Sequence, residues 1–320
     1  MKKLALVLAA LAAFASTLPA AFAQDYPTRP IRLIVPFPPG GTLDVTGRLI
    51  AQKLQESLGQ PVVVESKGGA AGTIGSEFVA KSEPDGYTLL INSTPFVTTP
   101  HLMKLPYDVK RDFVGVAQML QIEYVLVVNP KLNVSTLKEL VELAQRQPGK
   151  LNYSSAGPGS GQHLYMELFK GASKVDLVHV PYKGNGPALQ AFLTGEVDMI
   201  FDTTAGVLQH IAAGRAKPVL VTGNRPIEAL PGVPPLDTVY PGLGIDAWHG
   251  IFAPAKTPKP IVDKLGEAIR AAVNQPDMAK RIRDLGFTPT GLTSERFNPI
   301  FQRDVDAWGR VIRENNVKVD

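Results

Sequence analysis

Three glycine-rich loops carry the chemistry legible in this chain. Pro36-Phe37-Pro38-Pro39-Gly40-Gly41 precedes Thr42-Leu43-Asp44, Lys67-Gly68-Gly69-Ala70-Ala71-Gly72 precedes Thr73, and Gly157-Pro158-Gly159-Ser160-Gly161 precedes a helical stretch containing His163. Each loop follows a short apolar run and opens a helical pattern. A helix N-terminus presents unpaired backbone N–H groups and a partial positive charge, and glycine lets the backbone come close to a ligand. Such a loop holds an anion without Lys or Arg. Ser93, Thr94, Ser154, Ser155, Ser160, Thr203 and Thr204 add neutral hydroxyls at strand ends. Neutral donors and helix dipoles suit a carboxylate that must be bound and then released. Phe37, Phe96, Tyr153 and Tyr182 would wall its carbon skeleton.

Each residue also has a plainer reading. A single glycine loop is as readily only a turn, and the argument gains from several at matching positions. Asp44 lies in the first turn of its helix, where an acid answers the dipole or else makes a polar contact to the ligand or across a cleft. Asp202 ends a strand and either caps the next helix or faces the cleft. His163 donates to an anion or is an ordinary surface or capping histidine. Lys183 reads as solvated.

Motifs of catalysis are absent from the sequence. Gly157-Pro158-Gly159-Ser160-Gly161 fails G-x-S-x-G because Pro158 stands two residues before Ser160, and fails G-x-G-x-x-G because Gln162 ends it. There is no Walker loop and no H-E-x-x-H. The five histidines show no metal-ligand spacing, so no metal and no cofactor is expected. No serine stands in a nucleophile context, though a triad assembled in space leaves no such mark.

The elements that position these loops repeat one grammar. Ile31-Arg32-Leu33-Ile34-Val35 is a buried strand, with Thr42 as N-cap of a helix stopping at Gly59. Strands follow at 62–64 and 87–91. The second half offers strands at 151–154, 177–180 and 197–201, with helices over 162–170 and 187–193. Strand–helix alternation predicts parallel sheets with right-handed crossovers. Residues 114–128 and 245–253 read as two extended crossovers between the halves. Helices are expected over 260–274, 277–285 and 294–315, packed on the first half. Two crossing strands between two α/β units describe a hinged clam. Lobe 1 is then 24–124 with 247–320, and lobe 2 is 125–246.

Composition narrows the setting. The 320 residues include no Cys, which excludes disulfides, thiol catalysis, Cys-ligated metals and a lipidated N-terminal Cys. Twenty-nine Gly and 28 Pro exceed the average share, about 12% together, and mean many turns. Met1-Lys2-Lys3, an apolar run over 4–18 and Ala21-Phe22-Ala23 form a signal peptide cleaved after Ala23, with an uncleaved signal anchor as the lesser reading. Without Lys2 and Lys3 the net charge falls from +4 to +2. The basic residues are scattered, so nucleic acid is not an expected partner. A periplasmic, monomeric protein is expected.

The chain resembles the periplasmic solute receptors of tripartite tricarboxylate transporters, the Bug family. The resemblance rests on Val35-Pro36-Phe37-Pro38-Pro39-Gly40-Gly41-Thr42-Leu43-Asp44, Pro84-Asp85-Gly86-Tyr87-Thr88-Leu89-Leu90, Leu151-Asn152-Tyr153-Ser154-Ser155-Ala156-Gly157, Val178-His179-Val180-Pro181-Tyr182-Lys183-Gly184 and Gly195-Glu196-Val197-Asp198. It implies a two-lobed type II periplasmic binding fold of the α/β class, capture of a small organic carboxylate, and delivery to a membrane permease. It implies ligand contacts from Phe37, Pro39, Gly40, Gly41, Thr42, Asp44, Gly72, Thr73 and Ser93 in one lobe. In the other it implies Ser154, Ser155, Ala156, Gly157, His163, Tyr182 and Asp202. Rival readings are a periplasmic sensor for a membrane kinase and, from another class, a secreted hydrolase.

Overall fold

The computed structural model describes residues 26–314 and Val317. The signal peptide read from the sequence lies outside the described residues.

The first half lays down β1 (Ile31–Val35), α1 (Thr42–Leu58), β2 (Val62–Ser66), a 3₁₀ turn (Ala70–Gly72), α2 (Thr73–Ala80), β3 (Thr88–Ser93), α3 (Pro95–Leu102) and the short α4 (Val109–Asp112). β4 (Phe113–Ile122) then runs almost directly into β5 (Tyr124–Val128). The second half continues with α5 (Leu137–Arg146), β6 (Asn152–Ser155), α6 (Gly161–Ser173), β7 (Val178–Pro181), α7 (Asn185–Thr194), β8 (Met199–Thr203), α8 (Thr204–Ala212), β9 (Lys217–Val221) and the short α9 (Leu236–Val239). The chain returns through β10 (Ala247–Pro254), α10 (Lys259–Val273), α11 (Pro276–Asp284), β11 (Thr288–Thr293) and α12 (Ser294–Glu314).

Two sheets result. One has the order β11-β4-β10-β3-β1-β2, the other β7-β6-β8-β5-β9. Both are mixed, which corrects the expectation of purely parallel sheets. β1 pairs in parallel with β2 and β3, and β6 with β7 and β8, but β10 runs antiparallel to β3 and β4, and β5 antiparallel to β8 and β9. The crossing strands cause this, because they enter each sheet from the opposite lobe.

β1 has β2 on one side and β3 on the other, and β6 stands in the same way between β7 and β8. The loops leaving β1 and β6 therefore open at points where the chain order reverses, the usual place for a crevice in an open α/β sheet. A long apolar cluster runs through the first lobe, across the crossing strands and on under the second sheet, and a smaller one packs that sheet's other side around Phe192 and Ile200. α12 reaches over to α6, where Trp308 meets Tyr165 edge-on with centroids 5.2 Å apart. Beside the hinge, Gly286 lies so close to Ala205 that a Cβ there would fall 2.0 Å from the Ala205 methyl.

Candidate functional site

In the first lobe the two glycine loops fold against each other. A Cβ on Gly68 would sit 3.2 Å from the Pro38 nitrogen, and one on Gly75 2.9 Å from Pro36 Cα. Gly72 carries the Phe37 ring, 3.1 Å from where its Cβ would be. The second loop takes a left-handed course through Gly69, Ala70, Ala71 and Gly72, with φ of 131°, 47°, 54° and 89°. Two alanines in that region are unfavourable by themselves, and such strain is kept where surrounding structure imposes it.

This packing leaves amides free. The N-cap of α1 is Gly41, not Thr42 as the sequence pattern suggested, and no side chain caps the helix. Among the described residues the backbone N–H groups of Gly41 and Thr42 meet no acceptor, and neither do those of Ala70 and Ala71. Pro39, Gly40, Gly41 and Thr42 are exposed on the rim. Asp44 does not face the crevice freely. It is 5% exposed, accepts from Gly40 N–H at 3.0 Å, and pairs with Arg48 at 3.0 Å. The Arg48 hydrogen bond holds its pKa below the ordinary carboxylate value. Thr73 starts α2, but its hydroxyl is buried beside the Tyr107 phenol. Ser93 is tied to this region by a relay in which Ser76 donates to the Gly72 carbonyl (2.9 Å), Asn92 donates to Ser76 (3.2 Å), and Ser93 N–H donates to Asn92 Oδ1 (2.9 Å).

In the second lobe, side chains of the following helix take two of the loop's amides. Ala156 N–H donates to Gln162 Oε1 at 2.6 Å, and Gly159 N–H to His163 Nδ1 at 3.0 Å. Ser154 is fully buried and donates to the Ala188 carbonyl at 3.0 Å. Ser155 Oγ lies 2.6 Å from His179 Nε2. His163 is buried, not a surface residue; its ring stacks on His179 at 4.2 Å, and His179 stacks on Tyr153 at 4.8 Å. Nδ1 of His163 accepts a hydrogen bond, so its neutral form carries the proton on Nε2, which lies 4.0 Å from Glu167. Burial first, and then His163, pushes the His179 pKa down to about 4. The Ser155–His179 pair thus joins a buried hydroxyl to a weak base, poorly matched to general-base work near neutrality.

Asp202 is 1% exposed at the end of β8. It does not cap α8; Thr203 does, accepting from Gly206 N–H at 3.2 Å, while Asp202 Oδ1 takes Thr203 N–H at 2.7 Å. Asp202 Oδ2 is buried with no hydrogen-bond partner, and burial raises the pKa to about 6. Gln162 and Asn185, joined by a hydrogen bond, stand beside it. Tyr182 sends its hydroxyl to Glu196 at 2.7 Å. Two of the expected aromatic walls are core residues. Phe96 lies among Phe113, Phe252 and Phe301 at 4.8–5.7 Å, and Tyr153 is fully buried with its hydroxyl on Glu167.

The structure therefore brings Phe37, Pro39, Gly40, Gly41 and Thr42 to one rim and Ala156 and Gly157 to the other, while Gly72 lies buried against the Phe37 ring. Gln162, Asn185 and Tyr124 were missed. Tyr124 stands in the crossover and places its hydroxyl under Gly161, 2.7 Å from where a Cβ would lie, so a side chain there would have to push the Tyr124 hydroxyl aside. Nothing in local sequence marks these residues, since Gln162 and Asn185 open α6 and α7 and Tyr124 opens β5, elements far apart in the chain.

Two α/β lobes joined by crossing strands, with paired loops opening at both switch points, define a solute-binding receptor of the two-lobed type II periplasmic binding fold. The chain belongs to the tripartite tricarboxylate transporter family receptor group, whose profile it matches over residues 46–317. It is 37% identical over 308 residues to a UPF0065 protein in the tcbD-tcbE intergenic region of Pseudomonas sp. strain P51, covering 95% of this chain and 92% of that one. It is 36% identical over 301 residues to BugT of Bordetella pertussis, covering 93% and 92%. Among solved structures, one described as a periplasmic transporter is 38% identical with a TM-score of 0.73, covering 92% of this chain and 100% of that one. R. palustris Rpa4515 with adipate is 31% identical with a TM-score of 0.73, covering 92% and 99%. MatC from Rhodopseudomonas palustris with bound malate is 32% identical with a TM-score of 0.70, covering 90% and 100%.

Proposed function

We propose that this protein is a periplasmic receptor that captures a small organic carboxylate between its lobes and hands it to a tripartite tricarboxylate-type membrane transporter. One observation carries the reading: the free amides of Gly41, Thr42, Ala70 and Ala71 sit at two neighbouring helix starts with no acceptor of their own. A carboxylate fills that need with two oxygens, and the helix dipoles favour its charge. Lobe 1 (24–124 and 247–320) makes the first contact, and lobe 2 (125–246) closes over the ligand by bending at the crossing strands. The second lobe offers Asp202, Gln162 and Asn185 toward the ligand's far end. Acid ligands in relatives at 31% and 32% identity support this class of ligand. Isothermal titration of ligand-free protein against mono- and dicarboxylates, adipate and malate among them, tests it. Saturable binding of at least one acid is expected, and no heat from the whole panel would overturn the reading.

A further inference from the structure

A second polar cavity, away from the glycine loops, lies where the crossing strands meet. Its volume is about 340 Å³, and both lobes line it. Arg225, from the loop after β9, comes from the second lobe; Thr288 on β11 and Arg296 and Arg303 on α12 come from the first. Trp248 forms part of the wall.

Charge decides what this cavity takes. Arg225 is steadied by Gln121 at 2.9 Å, and Arg303 by Asp304 at 2.8 Å. Arg296 has no partner among the described residues. Asp304 is answered by Arg303 and by Trp248 Nε1 at 2.9 Å. Asp304 lies behind the lining, and the acid among the lining residues is Asp246. Ala247 pairs with Ile122, and Glu123, the next residue of the crossing strands, acts on Asp246 as a like charge. Glu123, Asp304, Arg225, Gln121 and the buried Tyr165 are the polar groups around it. Asp246 Oδ1 is buried without a hydrogen-bond partner, and burial first, then Glu123, raises its pKa to about 7. When Asp246 takes a proton, the lining keeps Arg225, Arg296 and Arg303 and no ionised acid of its own; Asp304 stays paired with Arg303 and Trp248, and Glu123 lies outside the lining.

We propose that this hinge cavity is a second ligand site, for a small doubly charged oxyanion held by Arg225, Arg296 and Arg303. Guanidiniums are the preferred partners of such anions because their planar fork matches two oxygens. An anion there joins the lobes through side chains of both.

The test uses the full mature chain carrying Gly41→Val, so that the glycine-loop site is weakened, titrated calorimetrically with sulfate and, separately, with malonate. One saturable sulfate site is expected, weakened about tenfold or more by Arg296→Ala and by Arg225→Ala. Binding is expected to tighten as pH falls through 7, and Asp246→Asn is expected to remove that pH dependence. Malonate competing with sulfate extends the site to organic dianions, and malonate failing to compete restricts it to inorganic ones. No saturable sulfate binding, or binding indifferent to both arginine variants, overturns the proposal. Carboxylate binding in the glycine loops is read separately, in protein that keeps Gly41, so either proposal can fail alone.

Discussion

Gly40 gives its backbone N–H to the buried carboxylate of Asp44 at 3.0 Å, and the same carboxylate is paired with Arg48 one turn further on. The acid that sequence reading set against the helix dipole or the ligand thus serves mainly to fold the loop back onto α1. Holding Gly40 there leaves Gly41 and Thr42 to present their amides outward. Asp44→Ala is expected to cost about 1–3 kcal/mol of stability, as for other lost buried hydrogen-bonded groups. It should also weaken carboxylate binding, because the loop loses its clamp. Thermal melts and calorimetry on one preparation check both effects. The pKa of Asp44 is held low in the folded state, so its contribution is full above the ordinary carboxylate pKa and is lost as pH falls through the folded value.

Gly41 and Gly40 separate two roles of the first loop. Gly41 has φ of −74° and no atom within 4 Å of a built Cβ, whereas Gly40 has φ of +90°. Gly41→Val should fold normally and bind a carboxylate about tenfold or more weakly, because the added branches stand over the free amides. Gly40→Val should lose stability as well, by about 1–2 kcal/mol from the left-handed backbone. Equal affinities for Gly41→Val and the parent protein would remove this loop from the site.

Asp202 makes stability depend on pH in the direction opposite to Asp44. Its folded pKa of about 6 exceeds that of an ordinary carboxyl, so the folded state binds the proton more tightly than the unfolded one. Stability should therefore fall as pH rises from about 4 to about 6 and level off above. Asp202→Asn should raise the melting temperature at pH 7 and flatten this profile, by roughly 1–3 kcal/mol at most. Melts across pH 4–8 for the two proteins decide it.

His163 acts through packing. It accepts from Gly159 N–H and lies against His179, so His163→Leu should destabilise the protein by about 1–3 kcal/mol through the orphaned amide. Affinity should change less than in Gly41→Val. A greater loss of affinity in His163→Leu than in Gly41→Val, at unchanged stability, would instead make the imidazole a direct ligand contact.

Phe96→Ala provides a control on the core. The ring sits among three other phenylalanines, and its removal should cost about 3–5 kcal/mol. Affinity of the remaining folded protein should be unaltered. Denaturant unfolding and calorimetry read the two quantities independently.

Some of this was written locally. The strand at 31–35, the glycine loop and the helix closed by Gly59 could be read from β-branched residues, proline and glycine placement and helical spacing, because each obeys rules acting within a few residues. The helix at 137–146 carries a local mark as well, the Thr136–Glu139 capping box. The loops as candidate anion sites were visible for the same reason: glycine next to a helix start has a local meaning.

Tertiary structure decided which of the candidate residues remain free. Ser155, His163 and Tyr182 have the right chemistry on paper, but each is engaged by a partner 4 to 24 residues away. Phe96 reads like a cleft aromatic until strands and helices from both ends of the chain enclose it. Sheet polarity belongs here too, since a strand reveals its β-propensity but not the direction from which it enters a sheet. Amide donors are common to every residue, so the sequence by itself determined where a carboxylate could be met. Tertiary structure decided how the loops are used: packing of the two first-lobe loops on each other leaves the Gly41, Thr42, Ala70 and Ala71 amides open, while Gln162 and His163 take those of Ala156 and Gly159 in the second lobe.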